Sequence, residues 1–250
     1  MGDDLAEFAS ACETATMADG EAPPEHALGE INRVDGDANA DADGKLDDDW
    51  PEGLVAVGGE LNPDTLIRAY GSGIFPWSSD PAVTWWSPDP RAIFDLDTFH
   101  AHRSVRKTVR QNQWRFTTDQ DFAGVMRACA APTPTRPSTW ITEDFIAAYV
   151  TLAQRGQAHS VEVWEGTELV GGLYGVTLGG FFGGESMFHR RPDASKAAVT
   201  FLVEHLRARG YTLLDAQVPN PHLARLGAIE IPRDNYLHRL KKALSLKVKF

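Results

Sequence analysis

The stretch between His159 and Phe188 constrains the fold of this chain more than any other. His159-Ser160-Val161-Glu162-Val163-Trp164 reads as a strand and Glu165-Gly166 as a hairpin turn; Leu169–Val176 and Gly180–Phe188 follow as two further strands. Turns this short make the three neighbours in a β-meander. Ala194–Arg209 then takes up the helical period, with Ala198, Phe201, Leu202 and His205 or Leu206 turned inward, and Gly210 stops it. Thr212–Val218 is another strand. Upstream, Ser104–Arg110 predicts a basic helix, and Asp119–Ala130 a second with Phe122, Val125, Met126 and Cys129 on one face. Thr142 caps a third, carrying Phe145, Ile146, Tyr149 and Leu152 and ended by Gly156. Helices, a meander, a helix and a strand predict an α+β fold, one mixed β-sheet flanked by helices.

The chain divides into three. Residues 1–45, rich in Asp, Glu, Ala and Gly with Phe8 as their one aromatic, cannot bury enough apolar surface to offset their ordering entropy and read as a disordered acidic extension. From Trp50 the texture changes. Leu54-Val55-Ala56-Val57 before Gly58-Gly59 reads as a short strand. Asn62-Pro63-Asp64 opens a helix with Leu66, Ile67 and Tyr70 at helical spacing, closed by Gly71 and Gly73. A run of aromatics and prolines follows, Ile74 to Trp77 and Thr84 to Pro90, read as rigid but irregular. Residues 46–90 are taken as a small N-terminal domain and 91–250 as a larger one.

Charge and cysteines narrow the function classes. Of 35 acidic and 24 basic side chains, residues 1–50 hold 15 and 2, so the folded part is mildly basic and an RNA partner is allowed. Cys12 and Cys129 are the only cysteines, which excludes a disulfide framework and a cysteine-based zinc site. No apolar run approaches the ~20 residues that span a bilayer, and no secretory signal opens the chain. A cytoplasmic monomer without membrane contact is expected. P-loop, dinucleotide, Gly-x-Ser-x-Gly and His/Glu metal patterns are all missing, so no metal or dissociable cofactor is expected.

Three polar groups interrupt strands that should be apolar. Glu185 follows Gly183-Gly184 at the end of one, where two glycines let a ligand approach the backbone. Asp215 and Gln217 alternate with Leu214 and Ala216 in another, which puts both on one face. Such groups are costly unless paired or facing a ligand, so a structural hydrogen-bond network is the alternative. Trp77, Trp85, Trp86 and Trp140 lie in turn segments, as stacking platforms for bases or as interface packing. Arg103, Arg106, Lys107 and Arg110 form one helical stripe, suited to a phosphate backbone or to solvent. His159, alone at a strand start, reads as structural.

Eight motifs occur in order: Pro51-Glu52-Gly53-Leu54 with Val57-Gly58-Gly59, Tyr70 with Gly73-Ile74-Phe75-Pro76-Trp77, Trp85-Trp86-Ser87-Pro88-Asp89-Pro90-Arg91, Thr139-Trp140-Ile141-Thr142, Ala158 to Trp164, Gly171 to Val176, Gly184-Glu185-Ser186-Met187-Phe188, and Asp215 with Gln217. Together they closely resemble bacterial leucyl/phenylalanyl-tRNA–protein transferases, over about residues 50–236. The resemblance implies a small N-terminal domain beside a GNAT-like acyltransferase domain. It also implies transfer of Leu or Phe, and Met weakly, from aminoacyl-tRNA to proteins beginning with Arg or Lys, marking them for N-degron proteolysis. Asp215, Gln217 and Glu185 match the family's active-site positions. Trp77 and Trp140 match aromatics that hold the 3′-terminal adenosine, with Tyr70 and Tyr149 nearby and Gly184 and Ser186 flanking Glu185. The side-chain pocket maps to Leu173, Phe182, Val199, Leu202, Leu206 and Leu214, and the tRNA backbone to Arg103, Lys107 and Arg110. Gly183 and Ala216 stand where relatives often have cysteine, and leucines replace some aromatic pocket residues.

An aminoacyl ester is already activated, so the chemistry needs neither ATP nor metal. Asp215 is expected to orient Gln217 against the attacking amine, with removal of the proton through water or the tRNA ribose as the alternative, and Glu185 to bind the α-ammonium of the incoming amino acid. Two rivals stay open. An acyl-CoA-dependent GNAT enzyme would want a glycine-rich turn where His189–Lys196 has no glycine, and a non-catalytic tRNA-binding module would need no polar pair inside a strand.

Overall fold

The structure, a computed structural model, describes residues 51–77, 82–101, 103–112, 114–133 and 137–250. The acidic extension expected over 1–45 lies outside the described residues, as does the start of the 46–90 unit.

Leu54–Val57 (β1), Phe75–Pro76 (β2) and Thr84–Trp86 (β3) form a three-stranded antiparallel sheet in the order β1-β3-β2. Pro63–Gly71 (α1) connects β1 to β2. The Asn62 side chain accepts the Thr65 N–H at 2.9 Å, and Pro63 occupies the first turn, where a missing N–H costs nothing. β2 and β3 fall in the segment read as irregular, because strands of two and three residues are too short to show a period.

The main sheet has seven strands: Arg91–Phe94 (β4), Arg115–Thr118 (β5), Ala158–Glu165 (β6), Glu168–Leu178 (β7), Phe181–His189 (β8), Leu213–Gln217 (β9) and Ile229–Ile231 (β10). Their order is β10-β4-β9-β8-β7-β6-β5. Every pair is antiparallel except β8 with β9, which are parallel because a helix connects them. That helix is Ala194–Ala208 (α5), with Ala198, Leu202 and Leu206 buried as expected and Phe201 and His205 only half-buried. The mixed sheet and the meander at its centre agree with the expected α+β fold.

The remaining helices are Arg103–Asn112 (α2), Phe122–Ala130 (α3), Glu143–Gln154 (α4), Pro221–Leu226 (α6) and Arg233–Leu244 (α7). α3 buries Phe122, Val125, Met126 and Cys129, the expected face. It starts three residues late: Asp119 has φ of +56°, outside the helical region, and Asp121 is the N-cap. α4 begins after Thr142, and Gly156 beyond its end takes φ of +69°. One core cluster joins the two sheets: Leu66, Tyr70, Ile74, Phe75 and Trp85 of the N-terminal part pack with Phe145, Tyr149, Tyr174, Phe181 and Tyr236. A second, on the other face, gathers α5 with Phe94, Val161, Val163, Leu173, Phe182 and Leu214.

β7 is buried along nearly its whole length, and its glycines let neighbours close on it. A Cβ on Gly175 would collide with the Gly183 carbonyl oxygen and the Phe182 ring, whereas one on Gly71, at the end of α1, would meet nothing within 4 Å. Gly175→Ala is therefore expected to destabilise the protein by roughly 2 kcal/mol or more. Gly71→Ala is expected to be neutral or to stabilise by up to about 1 kcal/mol. Urea denaturation of both variants measures the difference.

Candidate active site

The site arises where the parallel pair parts. β8 and β9 are in register at Phe181↔Leu213, Phe182↔Leu214 and Gly183↔Asp215, and then diverge. A cavity of about 470 Å³ opens there, between Gly184–Met187 of β8 and Leu214–Gln217 of β9 with Val218 just beyond it. Two bulges shape its floor. In β8, Gly184 stands opposite Gly175 and Ser186 opposite Tyr174, so Glu185 is an extra, unpaired residue. In β9, Asp215 stands opposite Ile93 and Gln217 opposite Ala92, so Ala216 is the extra one. Bulges bend a strand and re-aim its side chains.

The second bulge overturns the expected alternation of Asp215 and Gln217. Gln217 ends the strand with φ of +64°, a left-handed conformation that costs a non-glycine residue roughly 1 kcal/mol. The cost is offset by a hydrogen bond from the Gln217 N–H to Asp215 Oδ1 at 2.9 Å. The two side chains consequently part. Asp215 turns into the core, and Gln217 reaches across to Glu185.

Asp215 is 1% exposed and is held by a residue whose role the sequence did not disclose. Arg91, completely buried at the start of β4, grips it bidentately, Nε to Oδ1 at 2.9 Å and Nη2 to Oδ2 at 2.6 Å. The Tyr236 hydroxyl adds a bond to Oδ2 at 3.0 Å. Arg91 Nη1 meanwhile donates to the Gly73 carbonyl at 3.0 Å, and its guanidinium lies over the rings of Phe75 and Tyr236 at 4.8 and 4.3 Å. An arginine opening the otherwise apolar Arg91-Ala92-Ile93-Phe94 was the available signal, since a charge entering a strand demands a partner. Tyr236, in a helix dominated by charged residues, gave none.

Glu185 is half-buried at the cavity floor. Its Oε1 accepts the Gln217 Nε2–H at 2.6 Å and its Oε2 the Tyr149 hydroxyl at 3.1 Å; Tyr149 is in turn 2.5 Å from the Tyr70 hydroxyl. Burial raises the Glu185 carboxyl from its ordinary value to about 7, against the hydrogen bonds of Tyr70, Tyr149 and Gln217 and with help from the negative charge of Asp215. Burial, and then the Glu185 charge, push the Tyr70, Tyr149 and Tyr174 hydroxyls well above their ordinary value, so all three stay protonated. The contact expected between the Asp215 carboxylate and the Gln217 carboxamide is replaced by the backbone bond, and the carboxamide belongs to Glu185.

Trp77, Trp140, Leu173, Gly184, Glu185, Ser186, Val199, Leu202, Leu214, Asp215 and Gln217 all line the one cavity. Four expected residues do not. Tyr70 and Tyr149 stand behind Glu185, fully buried, because their hydroxyls are spent on each other and on its carboxylate. Phe182 and Leu206 are 0% exposed in the core cluster behind the apolar wall. Phe75, Pro76, Phe94, Tyr174, Met187, Ala216, Val218, Asn220, His222 and Leu223 complete the lining. Trp77 is 40% exposed, edge-on to Trp86 at 5.7 Å, and Trp140 is half-buried and edge-on to Phe145 at 5.3 Å. Arg103, Lys107 and Arg110 stand away from the cavity, exposed on α2, where they line a second, open depression with Arg106. Among the described residues no cluster of three His, Cys, Asp or Glu side chains is placed to hold a metal ion.

The carboxyl of Glu185 links stability to pH. Its folded value lies above its ordinary one, so the folded protein holds the proton longer than the unfolded chain and loses stability as pH rises from about 4.5 to about 7. Glu185→Gln removes that loss. At about pH 8 the variant is expected to be more stable than the parent by on the order of 1–2 kcal/mol, a figure discounted for partial exposure. At about pH 4 the difference should vanish. Denaturant unfolding across this range checks both ends.

Known proteins share this chain's sequence over most of its length. Residues 93–241 match the leucyl/phenylalanyl-tRNA protein transferase family and residues 59–89 match that family's N-terminal domain. A leucyl/phenylalanyl-tRNA–protein transferase of a Shewanella species is 50% identical over 199 residues, 79% of this chain and 84% of that protein. The protein of that name from Shewanella denitrificans is 52% identical over 191 residues, 76% of this chain and 81% of its own. One from Pseudomonas syringae is 51% identical over 195 residues, 78% and 85%. With matches of this extent on both sheets, the chain belongs to the leucyl/phenylalanyl-tRNA–protein transferase family of enzymes.

Proposed function

We propose that this protein moves Leu or Phe from the 3′ end of an aminoacyl-tRNA to the N-terminal amine of proteins that begin with Arg or Lys, marking them for N-degron proteolysis in the cytoplasm. One observation carries the reading: a single cavity joins an apolar wall, Leu173, Val199, Leu202 and Leu214, to a polar floor at Glu185 and Gln217, with Trp77 and Trp140 also lining it. An aminoacyl-adenosine has the matching parts, an apolar side chain, a reactive ester and a purine that stacks. The volume of about 470 Å³ is in the range that holds such a ligand.

The wall defines the side chain taken. Leucines and a valine give a slot for unbranched or γ-branched chains and oppose branching at Cβ. Apolar pockets discriminate a methylene only ~10–200-fold, so Met should be a slow substrate. The exposed cations of α2 would follow the tRNA backbone, and the small N-terminal sheet would bring Trp77 to the terminal adenosine. Most of the acceleration would come from positioning, since the ester is already activated.

The direct test is incubation with leucyl- or phenylalanyl-tRNA and a peptide beginning with Arg, followed by detection of the added residue. Transfer of Leu and Phe, weak transfer of Met and none of Val or Ile supports the reading; efficient transfer of Val or Ile contradicts the slot. Neutralising Arg103, Lys107 and Arg110 together should weaken tRNA use across isoacceptors and reduce the salt slope by about 3. An aminoacyl-adenosine should hardly notice. Equal losses on both substrates would mean that α2 supports folding instead.

A further inference from the structure

We infer that Glu185 is the group that takes the proton from the attacking amine and hands it to the departing 3′ oxygen. The inference rests on the aminoacyl-transfer reading above and assigns the proton's route within it.

The other polar groups of the floor are disqualified by their surroundings. Each Asp215 oxygen already accepts two hydrogen bonds, Oδ1 from Arg91 and the Gln217 N–H and Oδ2 from Arg91 and Tyr236, and the side chain is 0% exposed, whereas each Glu185 oxygen accepts one. Closed in by these partners, the Asp215 oxygens have no face left for the amine. The Gln217 carboxamide has no basicity there at all. Its Nε2–H is given to Glu185, which leaves its carbonyl oxygen to accept an N–H from the amine. Tyr70, Tyr149 and Tyr174 are kept in the protonated form by burial and do not serve as the base. Glu185 is the titratable carboxylate that both faces the cavity and lacks a cation of its own.

The charged and titratable groups around Glu185 are Tyr70 of α1, Tyr149 of α4, Tyr174 of β7 and Asp215 of β9, with Arg91 of β4 and Tyr236 of α7 behind Asp215 and His222 of α6 on the same cavity lining. Burial sets its carboxyl at about 7, while an α-amine titrates near 8 when free and falls steeply once its nitrogen has attacked. A base poised near the working pH can accept the proton and give it back.

The step closes on itself. The neutral amine attacks the ester carbonyl carbon, the C–N bond forms, and the nitrogen's extra proton goes to a Glu185 oxygen. The C–O bond to the 3′ oxygen then breaks, that oxygen takes the proton from Glu185, and the products are an amide, a free 3′ hydroxyl and the original carboxylate. Tyr149 and Tyr70 are positioning residues, whose hydroxyls keep the carboxyl from rising further.

The test is kcat/KM for transfer from leucyl-tRNA to an Arg-initiated peptide between about pH 5.5 and 8.5. The parent should show a slope of 2 on a logarithmic plot below the Glu185 value and of 1 above it, until the amine itself is deprotonated. Glu185→Gln should fall by ~10²–10³-fold near neutrality and keep a single slope of 1. Glu185→Asp should retain the lower break at reduced rate, and Tyr149→Phe should move that break upward by removing a donor. Loss of transfer by the parent would overturn the reading of the whole site. A parent that transfers while Glu185→Gln keeps both breaks would overturn the inference alone. So would a Glu185→Gln variant that loses affinity for a non-reactive aminoacyl-adenosine yet keeps its pH profile, since Glu185 would then hold the donor's ammonium. Disappearance of the lower break in His222→Gln would give the proton to that imidazole at the cavity mouth instead.

Discussion

The ion pair between Arg91 and Asp215 is the interaction on which the rest of the site depends. Burying two opposite charges is favourable only when geometry and hydrogen bonding replace what water supplied. Here they do: the guanidinium bonds to both carboxylate oxygens, to the Gly73 carbonyl and to the Tyr236 hydroxyl, and lies over two aromatic rings. Four parts of the chain therefore meet at one point: the turn after α1, the start of β4, the end of β9 and α7. Asp215 then uses a remaining acceptor position to hold the Gln217 N–H, which is how a core ion pair sets the backbone at the cavity floor.

From that point outward, the architecture separates apolar from polar function. The meander and α5 supply a wall of aliphatic side chains, while the divergence of β8 and β9 and their two bulges bring Glu185 and Gln217 together at 2.6 Å. A regular sheet could not do this, because alternation would send neighbouring polar groups to fixed faces. The tyrosines behind Glu185 fill the role that water would otherwise take, giving the carboxylate a donor without opening the core. Glu185 consequently sits half-buried, with hydrogen-bond donors behind it and the cavity in front.

Much of this was legible in the residues. The meander, α1, α3, α4 and α5 carry strong periods, caps and terminal glycines, and the structure follows them within a few residues. The odd polar groups at Glu185, Asp215 and Gln217 also announced themselves. Elements with weak local signals did not: β4 and β5 are short strands, α6 is six residues long, and α7 buries only Tyr236, Leu240 and Ala243 of its twelve. The bulges were equally hidden, because an extra residue shows only against a partner strand. That is why Asp215 and Gln217 were expected on one face; Phe182 and Leu206, placed in the pocket by the resemblance, and Tyr70 and Tyr149, placed nearby, are found behind the lining. Long-range pairing decides these points, and local sequence does not encode it.

Arg91 reaches the cavity floor through Asp215 and the backbone of Gln217, and its effect on the chemistry is expected to run by that route. A double-mutant cycle of Arg91→Lys and Gln217→Ala, read as the single-turnover rate of transfer to an Arg-initiated peptide, tests it most directly. Lysine keeps the buried charge and loses the two-pronged grip, so the carboxylate stays paired but can rotate. If the pair positions Gln217, each single change should slow the chemical step by roughly tenfold to a hundredfold, and the double change by little more than the worse single one. Independent, fully multiplicative losses, or a parental rate in Arg91→Lys, would contradict the account and leave the ion pair as a feature of folding only.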